Sequence, residues 1–588
     1  MLSLLILWTI LAIIFALIGT PIVQACDLRT GLPRPEDRIF VAIWIGMLVL
    51  ANLLLLASIF VPLTLYVAAF FVVILAIPYY FRHSEYSIKG LDINAATTWL
   101  LIIVTLLALA FTALAQDTVE DTGLYHHQMI NWLAEYGSVH GLALINNPFG
   151  YTDSWFALIA PLQTGWLKDH FITGMNGFIF YLMAVQAILV LRRVSNFKLA
   201  TAVNDWFFIV AFALFCRLSF SDLIHSPSPD TPVTLLILVV AWLVVTIAAG
   251  SDAMTAGRTG RPGAAVMILA AGGVSIKLSA LPLFAVAVIY FVFSGGFSWR
   301  KVLASIVIAD PVAVIHLWVS TITSGCPLYP APYLCGEFPW SVGSENARLV
   351  STSTFEFLKW VGPAPPDATS FNWLWHKSPN NNVFNDKPLM LVLLVTNILC
   401  GSWLCAKRNI IGREAAIYTS LVAFAGIAFT IFVLPHLRFG LGFFLVVPAL
   451  ACASFLSGLN QSKNKYPGYL SKSRIPLLLI AAYFSVMPMA IHSRISQYGN
   501  ASSGDVINNI IENAHELAIW PVYPINPAVV DIVKGNNFDY FRPMLSKAPG
   551  REPPLCWGTP LPCAQGSLDG IWLRNDKAGF GGGFVKAK

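Results

Sequence analysis

Charge is scarce in this chain. Asp, Glu, Lys and Arg make up 11% of its 588 residues, where a soluble globular protein carries about 25%. With 57% hydrophobic residues and a mean hydropathy of +0.69, the chain belongs in lipid. It lacks a basic stripe interleaved with exposed aromatics, which excludes nucleic acid as a partner despite a net charge of +6. Nine cysteines are too few for a disulfide scaffold. Heptads are missing, and so is any repeat of roughly 20–50 residues, which excludes coiled coils and solenoids. The first apolar run, LSLLILWTILAIIFALIGT, has no basic leader and exceeds a signal-peptide core of about 7–15 residues. It reads as a retained span.

Long apolar runs are what the chain has. About fourteen segments pass the window rule for membrane helices. They lie near 2–24, 38–59, 62–81, 94–116, 171–192, 203–221, 230–250, 264–276, 280–296, 302–321, 388–406, 413–434, 438–457 and 474–492. The expected fold is an all-α integral membrane protein of about 12–14 transmembrane helices. Gly, Ser, Lys and Pro interrupt the pair at 264–296, leaving two short spans or one broken helix. Lys and Arg set the topology. Residues 192–198, Arg258, Arg261, Arg300, Lys301, 407–413, Lys463, Lys465, Lys472 and Arg474 mark one side, and loops 117–152, 222–230 and 322–387 are nearly free of basic residues. The second set, the N-terminus and the tail from about 493 are expected outside the cytoplasm.

The chain is expected to divide into a membrane domain, 1–492, and a small extracytoplasmic region, 493–588. Loop 117–170 reads as amphipathic and interfacial: Met129, Ile130, Leu133 and Tyr136 recur at helical spacing, and Trp132, Trp155, Trp166 and Phe171 are interface-type aromatics. Loop 322–387 reads as ordered, with short helices. The tail starts with a helix, Asp505 to Ile519, becomes rich in Pro and Gly, and frays at FGGGFVKAK. Cys326 with Cys335 and Cys556 with Cys563 lie close in sequence on the outer side. They are disulfides in an oxidising compartment or simple loop thiols.

A charged side chain inside a membrane costs several kcal/mol, so it commonly lines a cavity. Arg217, Lys277 and Arg438 each stand in apolar surroundings near the outer end of a span. Asp222, His225 and Asp230 follow Arg217. The stretch QDTVEDTGLYHHQ adds Asp117, Glu120 and Asp121 at a helix mouth, with Tyr125, His126 and His127. Cations that suit phosphate and carboxylates that can activate a hydroxyl thus share one side. Snorkelling to headgroups or structural ion pairing is the blander reading of each cation. Asp310 and His316 share one span, and Asp310–Pro311 reads as a helix break. No cluster matches a zinc pattern.

Asp121-Thr-Gly-Leu-Tyr125, directly after a membrane helix, resembles the first external loop of the GT-C superfamily of polytopic glycosyltransferases. In aminoarabinose and mannosyl transferases of that superfamily the loop opens with an acidic pair and a nearby Tyr, and its Asp is taken as the catalytic base. Here Glu120 precedes the Asp instead of following it, and about four spans come before the loop instead of one. The chain is also similar, over residues 28 to about 450, to a group of bacterial multi-pass membrane proteins. Shared stretches include SPSPDTP, IKLSALP, GCPLYP and LRFGLGF.

The GT-C resemblance implies transfer of a sugar from a polyprenyl-phosphate-linked donor to a glycan, lipid or protein acceptor on the extracytoplasmic face. It implies Asp121 as base, with Glu120 and Asp117 as further acids. Lys277, Arg438 and Arg217 would hold the phosphate. Tyr125, His126, Asp222, His225 and Asp230 would line the substrate site. No cofactor is required by these residues, and the resemblance admits a divalent metal. A polysaccharide polymerase or ligase working through Arg residues, a transporter of lipid-linked sugars and a membrane scaffold are the competing readings.

Overall fold

A computed structural model of the chain describes residues 1–82, 96–114, 117, 119–195, 203–218, 221–251, 262–360, 369, 372–374, 387–407, 413–462, 529–544 and 555–587. The apolar segment at 474–492, the helix expected from Asp505 to Ile519, and Arg258, Arg261, Lys463, Lys465, Lys472 and Arg474 lie outside them.

Helix α1 (Leu2–Ala25) is followed by the short α2 (Leu28–Gly31), then α3 (Pro35–Ala57), α4 (Leu65–Arg82) and α5 (Ala96–Ala113). The short α6 (His127–Glu135) and α7 (Ser154–Ile159) occupy the loop that comes next. The bundle resumes with α8 (Gly174–Ser195), α9 (Val203–Leu218), α10 (Asp230–Ser251), α11 (Pro262–Ile276), α12 (Leu281–Phe293) and α13 (Trp299–Ser324). After α14 (Ser344–Trp360) it closes with α15 (Lys387–Ala406), α16 (Arg413–Phe432) and α17 (Leu437–Ser462). Among the described residues eight helices are long and apolar enough to cross a membrane. Shorter apolar helices lie at Leu65–Phe81, Thr98–Ala113, Pro262–Ile276 and Leu278–Phe293. The chain is an all-α integral membrane protein, and every apolar segment expected within the described residues forms a helix.

The ambiguous pair resolves into a hairpin. Near the turn Gly273 faces Ala280 and Leu283, and at the far end Gly263 faces Phe291, so α11 and α12 run antiparallel. Lys277 sits between them in extended backbone, at φ −156° and ψ 136°. Asp310–Pro311 does not break its helix. α13 continues through Pro311, whose missing N–H and ring clash are absorbed inside a 26-residue span.

The loop after α5 differs from a helix lying in the interface. Residues 127–134 of α6 are buried on every side, as are Trp132, Trp155 and Phe171, while Trp166 is exposed. The C-terminal tail covers α6. Among its described residues are two antiparallel pairs that the sequence reading missed, β1 (Val530–Lys534) with β2 (Asp539–Pro543) and β3 (Ile571–Leu573) with β4 (Phe584–Lys586). Phe538, Phe580 and Phe584 pack with Trp132 and Tyr136. The last segment is therefore not frayed: Phe584 donates its N–H to the His140 carbonyl at 2.9 Å. Both cysteine pairs are disulfides, Cys326–Cys335 and Cys556–Cys563.

Close approach of α17 to α10 sets up the site. A Cβ on Gly442 would lie 2.9 Å from the Thr234 carbonyl oxygen and 3.0 Å from Ile237. Only glycine lets the two backbones meet there, as small residues do at membrane helix interfaces. Gly442→Val is expected to cost about 1–3 kcal/mol by overpacking. A thermal melt of the variant checks this.

Candidate functional site

The elements deliver four charged residues to one end of the bundle. Asp230 is the first residue of α10, and its carboxylate there complements the helix dipole. The Ser228 hydroxyl donates to this carboxylate at 3.3 Å. Arg438 enters in the first turn of α17, where its N–H donates to His436 Nδ1 at 3.2 Å. Lys277 stands in the α11–α12 turn. Two residues earlier, at the end of α11, the Ser275 hydroxyl pairs with that of Ser154 at 2.9 Å and accepts from Asn52 at 2.9 Å. Asp121 opens the π-type turn Thr122–His126 that leads into α6.

These residues form one chain of ion pairs. Asp121 Oδ2 pairs with Arg438 Nη2, Arg438 Nε lies 2.6 Å from Asp230 Oδ2, and Asp230 Oδ1 pairs with Lys277 Nζ. Two carboxylates and two cations sum to zero. Phe439 lies under both cations, with Lys277 Nζ 4.2 Å and the Arg438 guanidinium carbon 5.2 Å from its ring centre. The Asp230 side chain is 2% exposed, whereas Asp121, Lys277 and Arg438 keep 25%, 22% and 17%. A ligand can therefore reach the outer three while Asp230 anchors them from below.

Burial pushes the Asp121 carboxyl up, but Arg438, with Lys277 behind it, outweighs burial and holds it well below the usual carboxylate range. His126 is fully buried. Its Nδ1 meets the Thr122 hydroxyl at 3.3 Å, its ring packs on Tyr125 and Phe156, and its Nε2 has no hydrogen-bond partner among the described residues. Burial lowers its pKa from 6.5 to about 3, so it is neutral at pH 7. Burial likewise raises the Tyr125 phenol well above its ordinary value.

The His126 shift has a sign. The unfolded chain takes up a proton near pH 6.5 that the folded chain refuses until about pH 3. The stability this contributes is complete above pH 6.5 and is lost as pH falls toward 3. The melting temperature is expected to fall between pH 7.5 and 4.5, and His126→Gln should flatten that fall.

Not every expected residue joins the cluster. Arg217, in the last turn of α9, is exposed and among the described residues takes no part in the ion pairs of the cluster. Its side chain reaches the surface because it lies in the last helical turn, where a long basic chain can extend out of the apolar packing. Asp222 belongs to the turn Ser221–His225, and its side chain lies outside the described part of the structure. His225 is buried in that turn. Asp117 is buried and its Oδ1 accepts the Val119 N–H at 2.8 Å. Glu120 is half-buried beside Asp121. Among the described residues no group of three or more His, Cys, Asp or Glu is arranged to hold a metal.

Sequence reasoning passed over three neighbours. Asp153 is buried, accepts the Trp155 N–H at 2.7 Å as the cap of α7, and is raised well above its ordinary range by burial. Asp-Ser before an apolar run was the available signal. Phe439 stood next to Arg438. Trp557, from the Cys556–Cys563 loop, covers the π-type turn. A Cβ on Gly123 would lie 2.5 Å from its ring, and its carbonyl accepts from Gln128 Nε2 at 3.0 Å. Nothing in the sequence pairs residues so far apart.

A second buried charge network occupies the opposite end of the bundle. Arg193 binds Glu36 at 2.9 Å, Asp205 at 3.0 Å and Asp37 at 3.3 Å. Arg34 binds Asp205 at 2.7 Å, and Gln186 donates to Asp37 at 2.6 Å. It ties the starts of α3 and α9 to the end of α8. The visible signal was Glu36-Asp37 behind Pro35, acids on the basic side of the chain.

Fold and site together define a multi-pass α-helical membrane protein with a charged, partly open cluster where several helices end. Residues 1–445 match the model of a family described as a domain of unknown function, DUF8201, and the chain belongs to that family. No curated protein matches. Among solved structures, the arabinosyltransferase EmbB from Mycobacterium smegmatis matches with 12% identity and a TM-score of 0.32, over 77% of this chain and 43% of that one. The chain thus spans less than half the length of that enzyme.

Proposed function

We propose that the protein is a membrane glycosyltransferase of GT-C type. It would move a sugar from a polyprenyl-phosphate-linked donor to a glycan, lipid or protein acceptor on the extracytoplasmic face of a bacterial plasma membrane. One observation carries this reading: Asp121, Arg438, Asp230 and Lys277, drawn from four separate parts of the chain, meet at one end of the bundle. The acid-first external loop and its resemblance to GT-C transferases supply the class of reaction.

In the resting cluster Asp121 is a poor base because Arg438 holds its charge. A donor phosphate changes the balance. It competes for Arg438 and Lys277 as a bidentate anion, and Asp121 recovers basicity as its partner turns away. The acceptor oxygen then attacks the anomeric carbon and gives its proton to Asp121. The bond from that carbon to the phosphate oxygen breaks, and its electron pair stays on the phosphate, facing the two cations. General base catalysis of this kind contributes about 10²–10⁴-fold. Stabilising charge on the leaving phosphate is commonly the larger effect. Binding should therefore be ordered, with the donor first. Product-inhibition kinetics with a polyprenyl phosphate test this: competitive inhibition against donor at every acceptor concentration supports the order, and mixed inhibition opposes it.

The network at the far end of the bundle favours a second reading, a transporter of lipid-linked sugars, which needs working charges on both sides. The two readings separate at Arg193. In a transferase Arg193→Gln lowers stability and leaves turnover per folded molecule intact. In a transporter it stops flux.

A further inference from the structure

A second concave site lies on the same end of the bundle, where the tail meets the external loops. The cavity has a volume of about 720 Å³ and is lined by His140, Arg574, Asn575, Asp576, Lys577 and the Gly581–Gly582 backbone. That volume falls in the range of small-molecule sites, about 300–1,000 Å³. The β3–β4 pair is stitched down beside it, through Phe584 N–H to the His140 carbonyl and Lys586 Nζ to the Val342 carbonyl at 2.8 Å. The wall is thus a built surface.

Its charges are unbalanced. Arg574 and Lys577 are exposed, and among the described residues neither meets a carboxylate within ion-pair distance. Among the described residues the one lining acid, Asp576, accepts from Asn537 Nδ2 at 2.6 Å. The Arg574 guanidinium lies over the Trp340 ring with its central carbon 5.1 Å from the ring centre. Stacking of this kind holds the planar fork of donors in a fixed orientation and leaves its edge for an anion. His140 packs against the same ring at 4.9 Å, and burial with Arg574 lowers its pKa, so it offers a neutral imidazole. Two cations in a fixed polar cavity with an aromatic face beside them suit a sugar that carries a carboxylate or phosphate.

We infer that this cavity is a subsite for an anionic saccharide, and that it holds the acceptor; the acceptor role rests on the glycosyl-transfer reading. Its place fits. α6 starts at the turn that Asp121 opens and leads in sequence toward His140, and its nine residues span roughly 14 Å. An extended oligosaccharide held at Arg574 is of a length to bring its growing end toward Asp121.

The test is calorimetric binding to the full-length protein in detergent. The probes are trigalacturonic acid, mannose 6-phosphate and the neutral maltotriose. At least one anionic probe should bind, weaken with added salt, and lose tenfold or more in affinity in R574Q/K577Q, whose altered side chains are exposed. Maltotriose should not compete. Binding that requires the carboxylate trisaccharide identifies a uronate-type ligand, and binding of the phosphosugar identifies a phosphorylated one. The inference is overturned if neither anionic probe binds, if maltotriose binds equally well, or if R574Q/K577Q binds like the native chain. The assay needs no turnover, so it stands apart from the transfer reading. A protein that binds the anionic probe in this way keeps the site even if it transfers no sugar. Transfer with an unchanged acceptor KM in R574Q/K577Q would remove the acceptor role and leave the transferase.

Discussion

Asp121→Asn is expected to separate binding from chemistry. The variant should take up a polyprenyl-phosphate sugar at least as tightly as the native protein, while transfer falls by about 10²–10⁴-fold. The first half follows from the ion-pair chain. Arg438 is shared by Asp121 and Asp230, so every donor phosphate must compete with a carboxylate for it. An amide keeps the size of that side chain and removes its charge, which releases Arg438 toward the ligand. The second half follows because an amide cannot accept the proton. A donor-binding isotherm beside a turnover assay reads both. Weaker donor binding with turnover intact would make Asp121 an orienting group for Arg438, and the chemistry would pass to the Arg-dependent polymerase or ligase reading.

The Arg438→Gln variant should show the largest loss of stability. Removing one partner of a buried pair leaves the other uncompensated, at a cost of about 3–5 kcal/mol. Here Asp230, 2% exposed, would keep Lys277, but Asp121 would lose its ion-pair partner and the two acids would face each other with half the cation charge. Arg438→Gln with Asp230→Asn restores the charge balance, so the double variant should melt well above the single one. Donor binding should stay lost in both, because the bidentate phosphate contact is gone. The non-additivity of the two substitutions measures the coupling. Recovery of donor binding in the double variant would mean that Arg438 acts only as a structural counter-ion.

Much of the fold was legible because lipid imposes a simple rule. Apolar runs of sufficient length become helices. The helices expected near 230–250 and 438–457 appear as Asp230–Ser251 and Leu437–Ser462. Asp230, Lys277 and Arg438 could be singled out because charge next to apolar spans is costly. That they meet was not readable, since the Gly442 contact between α17 and α10 is a matter of packing. Arg217 shows the limit of the same rule: it has the same kind of sequence setting, yet it is exposed and among the described residues makes none of the cluster's ion pairs. The tail was the least legible part. Its strands are three to five residues long, and they are held by aromatics of a distant loop and by a disulfide rather than by any periodic pattern. Asp37 and Asp205 were missed because positive charge in the adjoining segments dominated the reading of that side.

The most direct measurement is transfer of labelled sugar from polyprenyl-phosphate donors by the purified native protein, with Asp121→Asn alongside. Transfer by the native chain that the variant loses while keeping its donor is the expected result. No donor binding by the native chain, or flux of an intact lipid-linked sugar without cleavage of its phosphate bond, would contradict it.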